Sequence, residues 1–502
     1  MSSRIVDTQD AVHTGLVVLD GVGLGVADVV RLADGAARPV PGTDAMKRAE
    51  ESWDAARRIA ATGRVYGRST GVGANRNEDI PTEAAAGHGL RLLRSHAGGI
   101  GDELPARQVR AMLAVRANQL LAGGSGLRPT VVTALCEALE SGAYPVVNEF
   151  GSVGTGDLAA LAQAGLALAG EHPWRGSGAP EPQPLDNNDA LALISSNALT
   201  FGQAALALHE LRGLIGATQV VGALSLLAVD GSYEAYAAPV HAARPHRGSA
   251  EVARRMRELL GAADRPTPPL GRIQDPYGFR CLPQIHGPAQ DAADALEEVL
   301  NVEINAAAEN PLISAEDMTA YHHGGFYQAQ LALSLDHFRL ALTQVARLST
   351  SRLSTLNEPA YTRLKPFLAD NEPASSGLMI LEYAAAAALG DLRAFSAPAS
   401  LGHAVLSRGV EEQASFASLA ARQTLRACGA YRLVVGCELV AAVRALRLRG
   451  LRPDPELPVG RALELAESVL DDDLADRPLT DDVTAAATLL DRFTDIWRGS
   501  ES

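Results

Sequence analysis

Between residues 328 and 356 the apolar side chains Leu331, Leu335, Phe338, Leu342 and Val345 recur three or four positions apart, with Arg339, Arg347 and Arg352 interspersed. That period puts the apolar set on one face of a single long helix, and a helix of this length needs other long helices to cover it. Further helical runs read at residues 44–61, 158–169, 190–211, 289–307, 376–392, 411–448 and 459–469, and no segment alternates as a strand does for long. The chain is 47% apolar but only 4% aromatic, so the core must be built from Ala, Leu and Val, which favour close helix packing. The expected fold is mainly α, a long-helix bundle. Three regions are expected: an N-terminal region over 1–210, a central long-helix bundle over 211–450 and a C-terminal helical segment over 451–502. A Pro-, Gly- and Asn-rich stretch at 170–189 reads as a surface excursion.

A net charge of -15 opposes binding to nucleic acid or to an anionic membrane surface, so a small molecule is the expected ligand. Residues 1–10 carry no signal-peptide pattern, and no stretch reaches the uninterrupted apolar length of a transmembrane helix, which points to a cytoplasmic protein. Cys136, Cys281, Cys428 and Cys437 lack CxxC or CxxH spacing and read as reduced core thiols rather than disulfide or zinc ligands. The pair His322-His323 lacks a third ligand and reads as a polar loop, so no metal site is expected.

Two glycine clusters break the helical texture. Residues 64–77 hold Gly67, Gly71 and Gly73 beside Tyr66 and Thr70, too many glycines for a helix, and read as a mobile loop. Residues 151–156 lead into the apolar run 158–169, a loop whose backbone N–H groups can face an anion or a developing negative charge.

Read in order, VYGRSTGVG (65–73), SHAGGIG (95–101), GSVGTGDLAALAQ (151–163), QDPYGFRCLPQIHG (274–287) and NAAAENPLI (305–313) resemble five signatures of the histidine and aromatic amino acid ammonia-lyases. The resemblance runs from about Leu16 to Leu439 and implies a homotetramer of fumarase/aspartase-like long helices. It also implies an electrophilic methylideneimidazolone, formed by the chain itself from an Ala-Ser-Gly triplet in the third signature. By position Tyr66 is the base, which requires its phenol to be pushed below the usual pKa of about 10. Tyr277 matches a second tyrosine near the prosthetic group, and Arg280 matches the arginine that pairs with a substrate carboxylate. Gln274 and Phe326 match pocket positions. His96 falls where the histidine-specific members carry a histidine, and Glu411 resembles the glutamate of their QEDHVS segment; a His and a Glu suit an imidazole better than a phenyl. The plainer alternative for Glu411 is a solvated helix residue beside Glu412.

The triplet, however, reads Gly154-Thr155-Gly156, followed by the retained Asp157. Dehydration of Thr155 would leave an ethylidene whose methyl shields the electrophilic carbon. Gly154 in place of alanine makes the loop less prearranged for ring closure. Ser195 stands where the family has an asparagine, and Gly325 replaces another. Asn197 lies two residues beyond Ser195, and on a helix that offset points it elsewhere.

Three functions remain open. The favoured one is an ammonia-lyase-like enzyme acting on a small amino-acid-derived substrate with Tyr66 as acid/base and no mature prosthetic group, so that no cofactor is expected beyond a self-derived imidazolone-type group at Gly154-Thr155-Gly156. The second is a histidine or aromatic amino acid ammonia-lyase or aminomutase using a Thr155-derived group. The third is a catalytically silent scaffold, in which Tyr66 and Tyr277 are packing aromatics and Arg280 forms an inter-subunit salt bridge.

Overall fold

The computed structural model describes residues 15–267 and 271–499, and the stretch read for a targeting signal lies outside them. The described chain is mainly helical, with long helices at Ala198–Ala228, Leu282–Glu303, Ala329–Leu356 and Ala417–Arg449. The periodic run that opened the sequence reading is the third of these. Two boundaries differ from expectation in ways that matter below. The run 190–211 breaks at Ser195 into Ala190–Ile194 and Ala198–Ala228. The run 411–448 begins only at Ala417, because Phe416 takes positive φ, which a right-handed helix excludes.

The chain divides into two compact units. The first holds the described residues up to His209 with Leu296–Leu335 and Pro398–Arg422; the second holds Glu210–Ala295, Asp336–Ala397 and the described chain from Gln423. The stretch 211–450, read as one central bundle, is thus shared between both. In the first unit Leu16–Leu19 pairs parallel with Arg38–Pro41, and Leu312–Ser314 pairs antiparallel with Thr319–Tyr321. Its central helix, Ala106–Leu121, is buried on every side from Val109 onward. Small residues allow this: a Cβ on Gly202 would come within 2.9 Å of the Ala111 backbone.

Burying a helix all round also buries its polar side chains, which need partners. Arg116 pairs with Glu309 at 2.9 Å and donates to the carbonyls of Leu193 (3.0 Å) and Ala192. In the second unit Arg352 and Glu438, both without solvent exposure, pair at 2.6 Å, and Ser225 and Ser349 donate to the same carboxylate.

The expectation that no stretch is long enough to cross a membrane is corrected: Ala190–Ala228 passes by length and mean hydropathy, 1.5. Its apolar side chains are already covered, since 89% of the apolar window is buried in protein, so Ala190–Ile194 and Ala198–Ala228 are core helices. None of the four cysteines forms a disulfide among the described residues; three are buried and Cys281 is half-buried.

Candidate active site

Tyr66 sits on the first glycine-rich loop, and its position is set by the residues that follow. Gly67 takes φ +70°, and a Cβ there would lie 2.1 Å from Leu191 Cδ2, so only glycine makes this turn. Arg68 is buried and donates to the carbonyls of Asn188 (2.6 Å) and Ser125 (2.7 Å). Desolvation lowers its guanidinium to about 10 against the pull of Asp189, Asp186 and Glu309. The loop read as mobile is therefore anchored at its base.

The Tyr66 phenol oxygen accepts the Gly73 N–H at 2.8 Å. Its pKa is raised, not lowered as a base requires: burial is the largest cause, and Glu411 adds to it, while the Gly73 bond and the Arg76 charge oppose. Burial thus favours the neutral phenol over the phenolate in this cavity.

Tyr66 lines a cavity of about 740 Å³ together with His96, Thr155, Gly156, Ser195, Phe326 and Glu411. These residues come from all three chain segments of the first unit, and the fold brings them to one place. His96 ends the helix Thr82–His96; its Nδ1 lies 2.9 Å from the Leu92 carbonyl, which can only accept, so the neutral ring leaves Nε2 as an acceptor. Glu411 lies in a loop beside the bridge from Leu406, not on a solvated helix. A ring with two N–H groups could be met by His96 Nε2 and the Glu411 carboxylate.

The triplet loop is tightly bonded. The Gly154 carbonyl accepts Ser415 Oγ–H at 2.8 Å, and the Gly156 N–H donates to Asn197 Oδ1 at 3.0 Å. The helix break at Ser195 redirects Asn197, whose Nδ2 also donates to the Phe326 carbonyl at 2.9 Å, so its amide does serve the triplet, contrary to the helical reading. Ser195 Oγ accepts the Asn310 N–H at 3.0 Å. Asp157 is buried, and desolvation raises its pKa; its carboxylate accepts Thr200 N–H (2.8 Å) and Oγ1–H (2.9 Å), capping the start of Ala198–Ala228.

The geometry at residue 154 does not suit the family's Ala-Ser-Gly group. Gly154 takes φ +88°, and a Cβ there would lie 2.2 Å from Ser415 Oγ and 2.8 Å from the Ala417 nitrogen. Ring closure would need the Gly156 nitrogen to attack the Gly154 carbonyl carbon, and that N–H is engaged with Asn197.

Gln274, Tyr277 and Arg280 belong to the second unit and are not among the residues lining this cavity. Tyr277 is 67% exposed, and the Arg280 guanidinium stacks 4.5 Å over its ring. Arg280 Nε is buried without a hydrogen-bond partner among the described residues. The turn that carries them is held by Arg352, donating to the Gly278 carbonyl at 3.3 Å, and by Tyr236, donating to the Phe279 carbonyl at 2.9 Å.

Sequence reasoning missed His322, Arg76, Asn310 and Ser407 as cavity residues. The adjacent Phe326 was the available signal for His322, since a loop that delivers one side chain to a cavity often delivers a near neighbour.

This mainly helical fold is that of solved ammonia-lyase and aminomutase structures. The chain belongs to the aromatic amino acid lyase family, whose model matches residues 24–468. It is 35% identical over 445 residues to a histidine ammonia-lyase of Geobacillus kaustophilus, covering 85% of this chain and 87% of the relative. Among solved structures it is similar to the ergothioneine-degrading enzyme ergothionase of Treponema denticola in complex with desmethyl-ergothioneine sulfonic acid (TM-score 0.89, 26% identity, 96% and 99% of the two chains). It is also similar to tyrosine aminomutase of Streptomyces globisporus (TM-score 0.89, 26% identity, 97% and 99%).

Proposed function

We propose that this protein eliminates an amine from a small imidazole-bearing amino acid derivative without a mature methylideneimidazolone, with Tyr66 as an acid/base group. The observation that carries this reading is the triplet loop: residue 155 is a threonine where the family has serine, and the Gly156 N–H that ring closure would use is donated to Asn197 Oδ1. When present in the family, the prosthetic group supplies an electron sink that helps a poor leaving group depart. A substrate whose amine is already quaternary needs no such help, because it leaves as a neutral amine. Ergothioneine, the compound degraded by one similar structure, is an imidazole amino-acid betaine of this kind. His96 Nε2 and Glu411 suit the two ring N–H groups, Arg76 adds positive charge near Tyr66, and Thr155 lines the same cavity.

The working form in this reading is a cytoplasmic homotetramer. The exposure of Tyr277 and the unpartnered Arg280 Nε support a role for Gln274, Tyr277 and Arg280 in completing the cavity of a neighbouring subunit, with Arg280 taking the substrate carboxylate. Two inactive variants, Tyr66→Phe and Arg280→Gln, would then regain activity when their subunits are mixed.

The test joins intact-protein mass spectrometry to amine release. The expected result is a mass equal to that of the sequence, with trimethylamine and an acrylate formed from histidine betaine or ergothioneine and no ammonia from histidine. A mass short by two waters, with ammonia released from histidine, would return the chain to ordinary ammonia-lyase chemistry through Thr155. Neither product from any imidazole amino acid would favour a silent scaffold.

A further inference from the structure

Two loops meet at the cavity. One carries Tyr66; the other is the hairpin closed by the bridge between Leu406 and Glu411, which brings Glu411 to the cavity wall. At its tip Ser407 and Arg408 take φ of +50° and +56°, a conformation that residues other than glycine hold only where surrounding structure enforces it. What Ser407 gains there is a bond to the Tyr66 loop: its Oγ accepts the Ala74 N–H at 2.9 Å. The approach is close. Gly73 takes φ +55°, and a Cβ there would lie 2.6 Å from that oxygen, so the hydroxyl can sit here only beside a glycine. Further along the same segment Ser415, Phe416 and Ser418 donate to the carbonyls of Gly154 (2.8 Å), Val153 (2.8 Å) and Ser152 (2.9 Å). One stretch of chain thus ties down both glycine-rich loops.

The turn that Ser407 holds bears directly on Tyr66. Ala74 is the middle residue of the short helical turn Gly73–Asn75, which Arg76 follows. The Gly73 N–H donates to the phenol oxygen at 2.8 Å, and that bond and the Arg76 charge are the two influences that lower the Tyr66 pKa against burial and Glu411. Both belong to this one turn. The other titratable groups near the phenol come from different segments: His322 meets its ring edge to face, centroids 6.4 Å apart, while Arg64, paired with Asp79, and His96 line the same cavity.

We propose that Ser407 is a positioning residue for Tyr66: by accepting the Ala74 N–H, its hydroxyl holds the Gly73 N–H and the Arg76 charge against the phenol oxygen. This rests on the reading above in which Tyr66 is the acid/base group, and it adds what keeps a buried phenol usable as one. A donated N–H and a nearby cation both favour the phenolate that must form when Tyr66 acts as base.

The test uses the full-length protein, its Ser407→Ala and Ser407→Gly variants, and L-histidine trimethylbetaine as the probe. Both variants remove the oxygen, and Ser407→Gly also relieves the positive φ, which separates the hydrogen bond from the backbone. The deciding readout needs no turnover: the Tyr66 phenolate band, taken as the difference between each protein and its own Tyr66→Phe form across a pH titration. In both variants the band is expected to move up by about 0.4–1.1 pH units, the worth of one lost hydrogen bond. Below the titration of the phenol the phenolate fraction falls in proportion. Thus kcat for trimethylamine release is expected to drop about 3–10-fold at pH 8 with KM within about threefold, and the deficit to close as pH rises. A band that stays in place in both variants, or that Ser407→Gly restores, overturns the proposal whatever the rates do. If the unaltered protein releases no trimethylamine, the elimination reading fails, and the role of Ser407 is still decided by the band.

Discussion

Replacing Gly154 by the alanine that the family's triplet carries should destabilise this protein, although the change adds one methyl group. At φ +88° an L-residue costs about 1–2 kcal/mol of backbone strain. The new Cβ would stand 2.2 Å from Ser415 Oγ, so that hydroxyl must move. Moving it forfeits its donation to the Gly154 carbonyl (2.8 Å) and its acceptance of the Ala417 N–H (3.3 Å), each worth about 0.5–1.5 kcal/mol. Together these give a loss of about 2–5 kcal/mol, to be read by equilibrium chemical denaturation followed by circular dichroism. The cause can be isolated in a double-mutant cycle. Ser415→Ala removes the obstructing oxygen, so Gly154→Ala/Ser415→Ala should be less destabilised than the sum of the single changes by about 1–2 kcal/mol. The remaining approach to the Ala417 nitrogen, 2.8 Å, keeps the double variant below the unaltered protein. A Gly154→Ala variant as stable as the unaltered protein, or strictly additive effects in the cycle, would refute the claim that this loop has no place for alanine.

Three further outcomes are expected. Thr155→Ser should leave the intact mass at its calculated value, because the Gly156 N–H stays bonded to Asn197; a loss of two waters would show that threonine alone blocks maturation. Burial raises the phenols of Tyr66, Tyr236 and Tyr431, so each contributes stability that is complete below about pH 10 and is lost as pH rises through its folded value. Denaturation from pH 9 to 11.5 should therefore show declining stability, with a shallower decline in Tyr236→Phe, and the Tyr66 phenolate band in difference spectra against Tyr66→Phe should appear above the ordinary tyrosine range. Arg116→Met should cost about 3–5 kcal/mol by leaving Glu309 buried without its cation, whereas Arg116→Met/Glu309→Leu should recover much of that loss in the same denaturation assay.

How much of this was legible in advance follows from how local each signal is. Helix period depends on neighbours three and four residues apart, so the long helix Ala329–Leu356 and the dominance of helices could be read directly, as could the membership implied by five ordered signatures. The residue types at the cavity, Tyr66, His96, Thr155 and Glu411, were likewise visible as letters. Their environment was not. The Tyr66 phenol is raised by burial among side chains distant in sequence, and no motif reports desolvation. Glu411 left the predicted helix because the backbone before Ala417 takes positive φ, a conformation that ordinary residues adopt only when surrounding structure enforces it. Asn197 reaches the triplet because the apolar run breaks at Ser195, where the Gly156 N–H and the Phe326 carbonyl offer its amide partners that a continued helix would have denied it. His322 looked like half of a polar pair until His323 was seen to be consumed by Glu309, Asn310 and Gly325. The fit of the triplet rests on a hydroxyl 261 positions away, Ser415, whose approach to Gly154 exists only in the folded chain. The sequence alone determined the helical architecture, the family and the list of reactive side chains, since those depend on local period and residue identity. Tertiary structure alone decided which of them share a cavity, which are neutral and which are already bonded, because those properties come from contacts between segments far apart along the chain.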